Sequence, residues 1–249
     1  MTESARPDSA RPSERPSERR SAARTSVVWD AVRPLVGAGT DVLDIGGGTG
    51  GFAVRVAELG AQVTVVDPSP DALAALARRA RELSVDVSAL QGDLSTLLDV
   101  TGPDSADLVL CHGVLEVVDD PAAALATLRQ VLRPGGALSL LVGQRHAAVV
   151  ARAMAGHFTQ ARTLLDAGPG ERDGRAGHRF TADEAAALVG DAGFVVQSVH
   201  GVRIFADLVP GSLLDLEPGA TAALVELERA VSERSEYLPL ATQLHLLAR

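Results

Sequence analysis

An α/β fold, built on a mostly parallel seven-stranded sheet with helices on both faces, is predicted by two features of the sequence. From residue 41 onward, short apolar β-branched runs alternate with longer stretches of helical periodicity. At the first strand-to-helix junction the chain reads V-L-D-I-G-G-G-T-G-G-F over residues 42–52, an apolar run, an acid and then a glycine cluster. Strands are expected near 41–45, 62–66, 85–90, 106–112 and 136–142, and helices near 51–59, 69–82, 120–132 and 181–192. A strand near 194–204, a helix near 219–233 and a closing strand near 240–248 complete the pattern.

The first segment stands apart. Residues 1–22 are Pro, Ser, Arg and Glu with almost nothing apolar, so they are expected to stay disordered. From Thr25 to about Leu35 the pattern becomes amphipathic, as for a helix leading into a core. The remainder, 23–249, is expected to form one domain with substrate-side insertions at about 143–180 and 205–238. A chain of 249 residues with 46% hydrophobic content can bury one sizeable core, and a second full domain is not expected.

All 23 basic residues are Arg, which alongside the Ala, Gly and Val richness resembles GC-rich coding bias and warns against interpreting single Arg-for-Lys choices. The net charge of −9 disfavours a broad footprint on nucleic acid while leaving room for a local one. One cysteine cannot form an internal disulfide, and Cys111 in its apolar strand is expected in the core. With no signal-peptide pattern and no apolar run of membrane-spanning length, a reduced cytoplasmic compartment is the default, with no membrane partner. No Cys or His spacing suggests a metal site.

The glycine cluster marks a nucleotide-type cofactor site. Glycines there allow a tight turn and close ligand approach, and the following helix presents free N–H groups. Two cofactors fit the loop taken alone. Gly46, Gly48 and Gly51 satisfy the dinucleotide fingerprint G-x-G-x-x-G, with Asp67 at the expected distance. Asp44, Gly46, Gly48 and Gly50 equally satisfy D-x-G-x-G-x-G, and a carboxylate at Asp44 repels a diphosphate while attracting the ammonium group of S-adenosylmethionine. Asp67 ends the second strand, where a carboxylate can accept both ribose hydroxyls; its alternative role is capping the next helix. Asp93, in Q-G-D-L after the third strand, is expected near the adenine or as an ordinary N-cap. His112, at the end of the fourth strand, is expected at the cofactor or substrate, the alternative being a structural hydrogen bond. L-R-P-G-G at 132–136 is expected to close a helix with a Pro-Gly-Gly turn. Dinucleotide oxidoreductases have no need of that turn, and with the three acids in order it decides for S-adenosylmethionine.

On these residues the core resembles the Rossmann-like class I methyltransferases, whose sheets end in an antiparallel strand. H-G-V-L-E-V-V-D-D-P with L-R-P-G-G-A-L-S-L-L-V, M-A-G-H-F at 154–158, G-V-R-I-F at 201–205, A-L-V-E-L-E at 223–228 and the tail H-L-L-A-R resemble one narrower group, the tRNA 5-carboxymethoxyuridine methyltransferases. The resemblance covers roughly residues 24–249 and implies esterification of a carboxylate on a modified tRNA uridine with S-adenosylmethionine as donor. It implies cofactor contacts at Arg24, Gly46, Gly47, Asp67, the Gly92–Asp93 turn and His112, with Arg24 pairing the methionine carboxylate.

Two departures bear on the acceptor. Where the family tends to carry a lysine run, D-A-G-P-G-E-R-D-G-R-A-G-H-R at 166–179 mixes Arg172, Arg175, His178 and Arg179 with three acids. Gly143 and Leu208 also stand where bulkier aromatic residues are expected. The acceptor is therefore expected to be tRNA or a small-molecule carboxylate; a small-metabolite O- or N-methyltransferase, and a non-catalytic cofactor-binding protein, are the competing readings. A carboxylate, with an ordinary pKa of about 4, is already a nucleophile at neutral pH and needs a cationic grip more than a base. Arg203 is the expected part of that grip, with His146 and Tyr237 as further candidates; for each, a purely structural role is the alternative.

Overall fold

The computed structural model describes residues 25–168, 170–172, 174, 177–214 and 219–249. The expected tail and Arg24 lie outside the described residues, as does Arg175. Helix α1 covers 25–32 and tightens into a 3₁₀ turn at Arg33–Leu35. Pro34 explains the change, since a proline lacks the N–H that an α-helix needs and clashes with the carbonyl four residues back. There follow β1 Asp41–Ile45, α2 Ala53–Ala57, β2 Gln62–Asp67, α3 Pro70–Leu83, β3 Val87–Gln91, α4 Leu97–Thr101, β4 Ala106–His112, α5 Pro121–Val131 and β5 Leu132–Gly143. After these come α6 Arg145–Met154, α7 Phe158–Leu165, α8 Ala182–Asp191, β6 Val196–Val202, α9 Gly211–Leu214, α10 Ala220–Val231 and β7 Gln243–Ala248.

The seven strands form one sheet in the order β3-β2-β1-β4-β5-β7-β6. Strands β1 to β5 pair in parallel, and β7 runs antiparallel between β5 and β6. Strand alternation divides the core into two layers. Leu43, Ile45, Val109 and Cys111 point to one side, against α4, α5 and α8. Val42, Leu108 and Leu110 point to the other, against α1, α2 and α3. Cys111 is fully buried, and burial pushes its thiol far above its ordinary pKa, so it is a core residue.

Local signals agree with these elements. Ser69 caps α3, with Pro70 at its first turn. Asp120 accepts from the N–H groups of Ala122 and Ala123, both at 3.0 Å, to start α5. Thr181 and Glu184 form a capping box at α8. One expectation needs correcting. L-R-P-G-G does not close α5 with a free turn; it is taken into β5, whose pairing jumps from Ala106↔Leu132 to Leu108↔Ala137. The extra residues are absorbed as an irregularity beside β4, a device that bends a strand without ending it.

The regions 143–180 and 205–238 hold α6 and α7, and α9 and α10, respectively. Among the described residues no helix is long and apolar enough to cross a membrane, and no group of His, Cys, Asp and Glu could hold a metal ion.

Candidate active site

Parallel strands bring the ends of β1, β2, β3 and β4 to one edge, and a crevice of about 690 Å³ opens there. Its lining includes Gly46, Asp67, Asp93, Gly113 and Val114. Gly46 has φ +69°, and a Cβ on it would collide with Val114. At Gly47 the obstacle is different: a Cβ would meet the Asp44 carboxylate at 2.6 Å, so that carboxylate lies directly beneath the loop. Asp44 is 3% exposed. Burial first, and the Asp67 charge second, push its carboxyl up to about 7.

Asp67 holds the loop together. Its Oδ2 accepts from Gly48 N at 2.9 Å and its Oδ1 from Ser69 N at 2.9 Å, while Ser69 caps α3 itself. The carboxylate lines the crevice and binds the N–H of Ser69, while the capping of α3 itself falls to Ser69. Gly92 sits under it, donating its N–H to the Asp67 carbonyl at 3.3 Å. Asp93 orders the turn before α4, whose N-cap is Thr96 and not Asp93. Oδ1 accepts from the Ser95 hydroxyl at 2.6 Å, Ser95 N at 2.9 Å and Thr96 N at 3.2 Å, and the side chain borders the crevice. The Ser95 hydroxyl, followed by those backbone donors, lowers its pKa.

The carboxylates of Asp44, Asp67 and Asp93 stand in strand order β1, β2, β3 around an open turn of glycines. That donor set fits a molecule with a cationic end and a hydroxyl-bearing sugar, and it repels a diphosphate. Asp67→Ala is expected to weaken S-adenosylmethionine binding ten- to a hundredfold, the equivalent of about 1.5–3 kcal/mol for a hydrogen bond to a charged group. Titration calorimetry checks this, and unchanged affinity would remove Asp67 from the site.

His112 lies at the neighbouring strand end. Its ring meets Phe52 edge-on at 5.2 Å, and its Nε2 is 2.8 Å from Ser139 Oγ. Burial lowers its pKa to about 4, so the ring is neutral.

A second cavity of about 740 Å³ lies beyond β5, between α6 and the residues after β6, with Gln144, Arg152, Arg179, Asp207 and Thr242 in its wall. The Arg179 guanidinium occupies the space above Gly143, where any Cβ would run into it. Glu116 lies behind, 8% exposed, accepting the Gly143 N–H on Oε1 at 2.7 Å. Burial raises its pKa, and the charge of Arg179 opposes the rise. Neither Glu116 Oε2 nor Arg179 Nε, both buried, has a hydrogen-bond partner among the described residues.

Arg203 follows β6, with φ +62°, and is ion-paired with Asp207. Its NH1 donates to Gln243 Oε1 at 3.3 Å. Three strand steps separate β6 from β4, so Arg203 stands roughly 14 Å along the edge from His112. His146 and Tyr237 are not among the residues lining either cavity. His146 is exposed in the first turn of α6, and its backbone N–H is bound by the Gln144 side chain. Tyr237 packs edge-on against Phe205 at 6.0 Å, beside Ile204, Val231 and Ala241. The basic loop is tied down: Arg172 pairs with Asp119 at 3.0 Å, and His178 is buried with Nε2 3.1 Å from the Val118 carbonyl.

Sequence reasoning passed over Glu116, Ser139, His200, Glu228 and His245. Polar residues within apolar strand runs, as in A-L-S-L-L and Q-L-H-L-L, were the available signal. Their partners lie on other strands, which no local pattern identifies.

A family model described as a methyltransferase domain matches residues 43–138. The tRNA 5-carboxymethoxyuridine methyltransferase of Escherichia coli is 31% identical over 237 residues, covering 91% of this chain and 87% of that protein. A ubiquinone biosynthesis O-methyltransferase of Xanthomonas euvesicatoria is 33% identical over 165 residues, 66% of each chain. Among solved structures, an S-adenosylmethionine-dependent methyltransferase from Mesorhizobium loti superposes with a TM-score of 0.60 at 22% identity, covering 92% of this chain and 99% of that one.

Proposed function

The chain belongs to the tRNA 5-carboxymethoxyuridine methyltransferases, a family of Rossmann-like, S-adenosylmethionine-dependent enzymes, and from that premise we propose that its acceptor is a carboxylate on a modified wobble uridine of tRNA. The observation that carries this reading is the change of charge along the sheet edge. Carboxylates surround the cofactor crevice, whereas the cavity beyond β5 has Arg152 and Arg179 in its wall against Asp207, which is paired with Arg203. An anionic acceptor is repelled by the first and drawn to the second.

S-adenosylmethionine, when bound, supplies a methyl group on a cationic sulfur. The protein's own contribution is placement. Asp44 would hold the ammonium end, Asp67 the ribose and Asp93 the adenine side, with Gly46 and Gly47 leaving room for the chain between them. Arg24, outside the described residues, is proposed for the methionine carboxylate. Arg179 and Arg203 would orient the acceptor carboxylate, which needs no base because it is ionised at neutral pH. Alignment of two such groups is worth roughly 7–11 kcal/mol of the barrier. His146 and Tyr237 remain proposals as acceptor contacts from outside the cavity wall.

One observation favours a second reading, a small-metabolite O-methyltransferase. Arg172 is already neutralised by Asp119, which leaves less free positive charge for an RNA backbone. Mass spectrometry of tRNA nucleosides from cells with and without the gene tests the choice: loss of a uridine methyl ester is expected in its absence. With purified enzyme, Arg203→Ala is expected to lower kcat/KM ten- to a hundredfold with little loss of tRNA affinity. Replacing Arg172 and Arg175 together is expected to weaken tRNA binding and flatten its salt dependence, because phosphate contacts release counterions. If tRNA binding is insensitive to salt and a small hydroxylated or carboxylic metabolite is methylated instead, the second reading replaces the first.

A further inference from the structure

Across the sheet, starting at His112, runs a row of polar side chains that cofactor binding and acceptor orientation leave unused. His112 Nε2 is 2.8 Å from Ser139 Oγ, which is 2.8 Å from His245 Nε2. His245 Nδ1 is 3.2 Å from His200 Nδ1, and His200 Nε2 is 3.2 Å from Glu233 Oε1. The row crosses β4, β5, β7 and β6 in their spatial order and ends beyond α10. Ser139 and His245 are 0% exposed and His200 7%, whereas the Glu233 side chain is 74% exposed. The rings of His200 and His245 are inclined by 24°, with centroids 5.3 Å apart.

From this arrangement we infer that Glu233, His200, His245 and Ser139 are positioning residues that fix the tautomer of His112, keeping its Nδ1 unprotonated as a hydrogen-bond acceptor at the cofactor crevice.

The inference follows from counting donors. A neutral imidazole has one N–H and one acceptor nitrogen, a serine hydroxyl donates once, and a carboxylate only accepts. Glu233 therefore requires the proton of His200 on Nε2. His200 Nδ1 is left as an acceptor, which requires the His245 proton on Nδ1. His245 Nε2 then accepts the Ser139 hydroxyl, and Ser139 Oγ accepts from His112 Nε2–H. His112 is left with its lone pair on Nδ1. Burial keeps His112 and His245 neutral. Every donor in the row is used once, and with neutral rings the opposite direction would place two acceptors, His200 Nε2 and the carboxylate, face to face at Glu233.

The row ends beside the crevice. His112 packs on Phe52, directly after the glycine loop, and the next residue, Gly113, lines the crevice with Gly46. An acceptor nitrogen there supports the same ammonium that Asp44 would hold. A donor nitrogen would oppose it. The inference needs only the cofactor, so it stands apart from the identity of the methyl acceptor.

The test is nitrogen-15 NMR of the histidine rings in the full chain at pH 8, which distinguishes Nδ1–H from Nε2–H directly. The native protein is expected to show His112 and His200 as Nε2–H and His245 as Nδ1–H. Glu233→Lys replaces an acceptor by a donor at an exposed position, so folding is expected to be unaffected while the His112 population moves toward Nδ1–H. Ser139→Ala is expected to uncouple His112 from Glu233→Lys in the double variant. Calorimetry with S-adenosylhomocysteine is expected to show a five- to tenfold loss of affinity in Glu233→Lys at unchanged melting temperature. His112 found as Nδ1–H in the native protein, or a His112 tautomer indifferent to Glu233→Lys, would overturn the inference. Failure of tRNA methylation with these signatures intact would count against the acceptor reading alone.

Discussion

Asp44→Asn is expected to make the cofactor-free protein more stable while removing its ability to bind S-adenosylmethionine. Asp44 is 3% exposed, and its folded pKa is raised from 3.8 to about 7, first by burial and then by Asp67. A raised carboxyl pKa means that the folded state holds its proton more tightly than the unfolded state. Below about pH 4 the group contributes nothing; between about pH 4 and 7 it destabilises progressively, and above 7 its cost is constant. Three pH units correspond to about 4 kcal/mol at about 1.36 kcal/mol each. If Asn relieves half of that, roughly 2 kcal/mol, the melting temperature at pH 8 rises by about 4–8 °C for a domain of this size. At pH 4 the two proteins should melt together. Cofactor affinity should move the other way, falling about a hundredfold or more at pH 8, since a cationic group loses its buried counter-charge. In the native protein affinity should also fall, by nearly tenfold per pH unit below 7, as the carboxylate is protonated. Scanning calorimetry and binding titrations at three pH values check all of this. A variant that is less stable than the native protein at pH 8, or that binds as tightly, would remove Asp44 from the role given to it.

Glu228→Ala is expected to be the most destabilising single substitution outside the apolar core. Glu228 projects from α10 and is 0% exposed. Its Oε2 accepts from Ile204 N at 3.0 Å, and its Oε1 from Phe205 N at 2.8 Å and Ala206 N at 2.7 Å. Those three N–H groups follow β6, past the reach of any strand partner. The same turn holds Arg203 at φ +62°, a left-handed conformation that a non-glycine residue keeps only under constraint. Removing the carboxylate leaves the three donors unpaired at about 1–3 kcal/mol each, a total of about 3–9 kcal/mol. A loss of that size is a large part of the 5–15 kcal/mol or so by which a domain is ordinarily stable. Glu228→Gln keeps the shape and two acceptor positions, so an intermediate loss of about 2 kcal/mol is expected. Urea denaturation measures both. Because Arg203 sits on this turn, Glu228→Gln should also lower turnover on tRNA while leaving cofactor affinity at the native value. An unchanged urea midpoint for Glu228→Ala would show that water replaces the carboxylate at no cost.

The proposed cofactor half of the site was legible because it is local. Asp44, Gly46, Gly47 and Gly48 are neighbours along the chain, and Asp67, Asp93 and His112 each end a strand whose apolar run is visible in the sequence. In a parallel sheet every strand end reaches the same edge, so reading the strands was enough to collect these residues. The proposed acceptor half is assembled differently. Arg203 was singled out from G-V-R-I-F, yet its pairing with Asp207 depends on a left-handed turn that Glu228 imposes from α10. Arg179 matters because Gly143, 36 positions earlier, leaves room for its guanidinium. His146 and Tyr237 have the right chemistry on paper, but lie where a helix turn and an aromatic contact place them, outside the cavity walls.

By itself the sequence determined the α/β class, the strand and helix order and the cofactor, since alternation, caps and a glycine loop beside an acid act over a few residues. Only the tertiary structure decided that Ser139, His245, His200 and Glu233 form one row, that L-R-P-G-G is drawn into β5, and which arginines face a cavity. Those outcomes depend on which strands lie side by side and in what register. Non-local pairing sets both, and no short-range pattern encodes it.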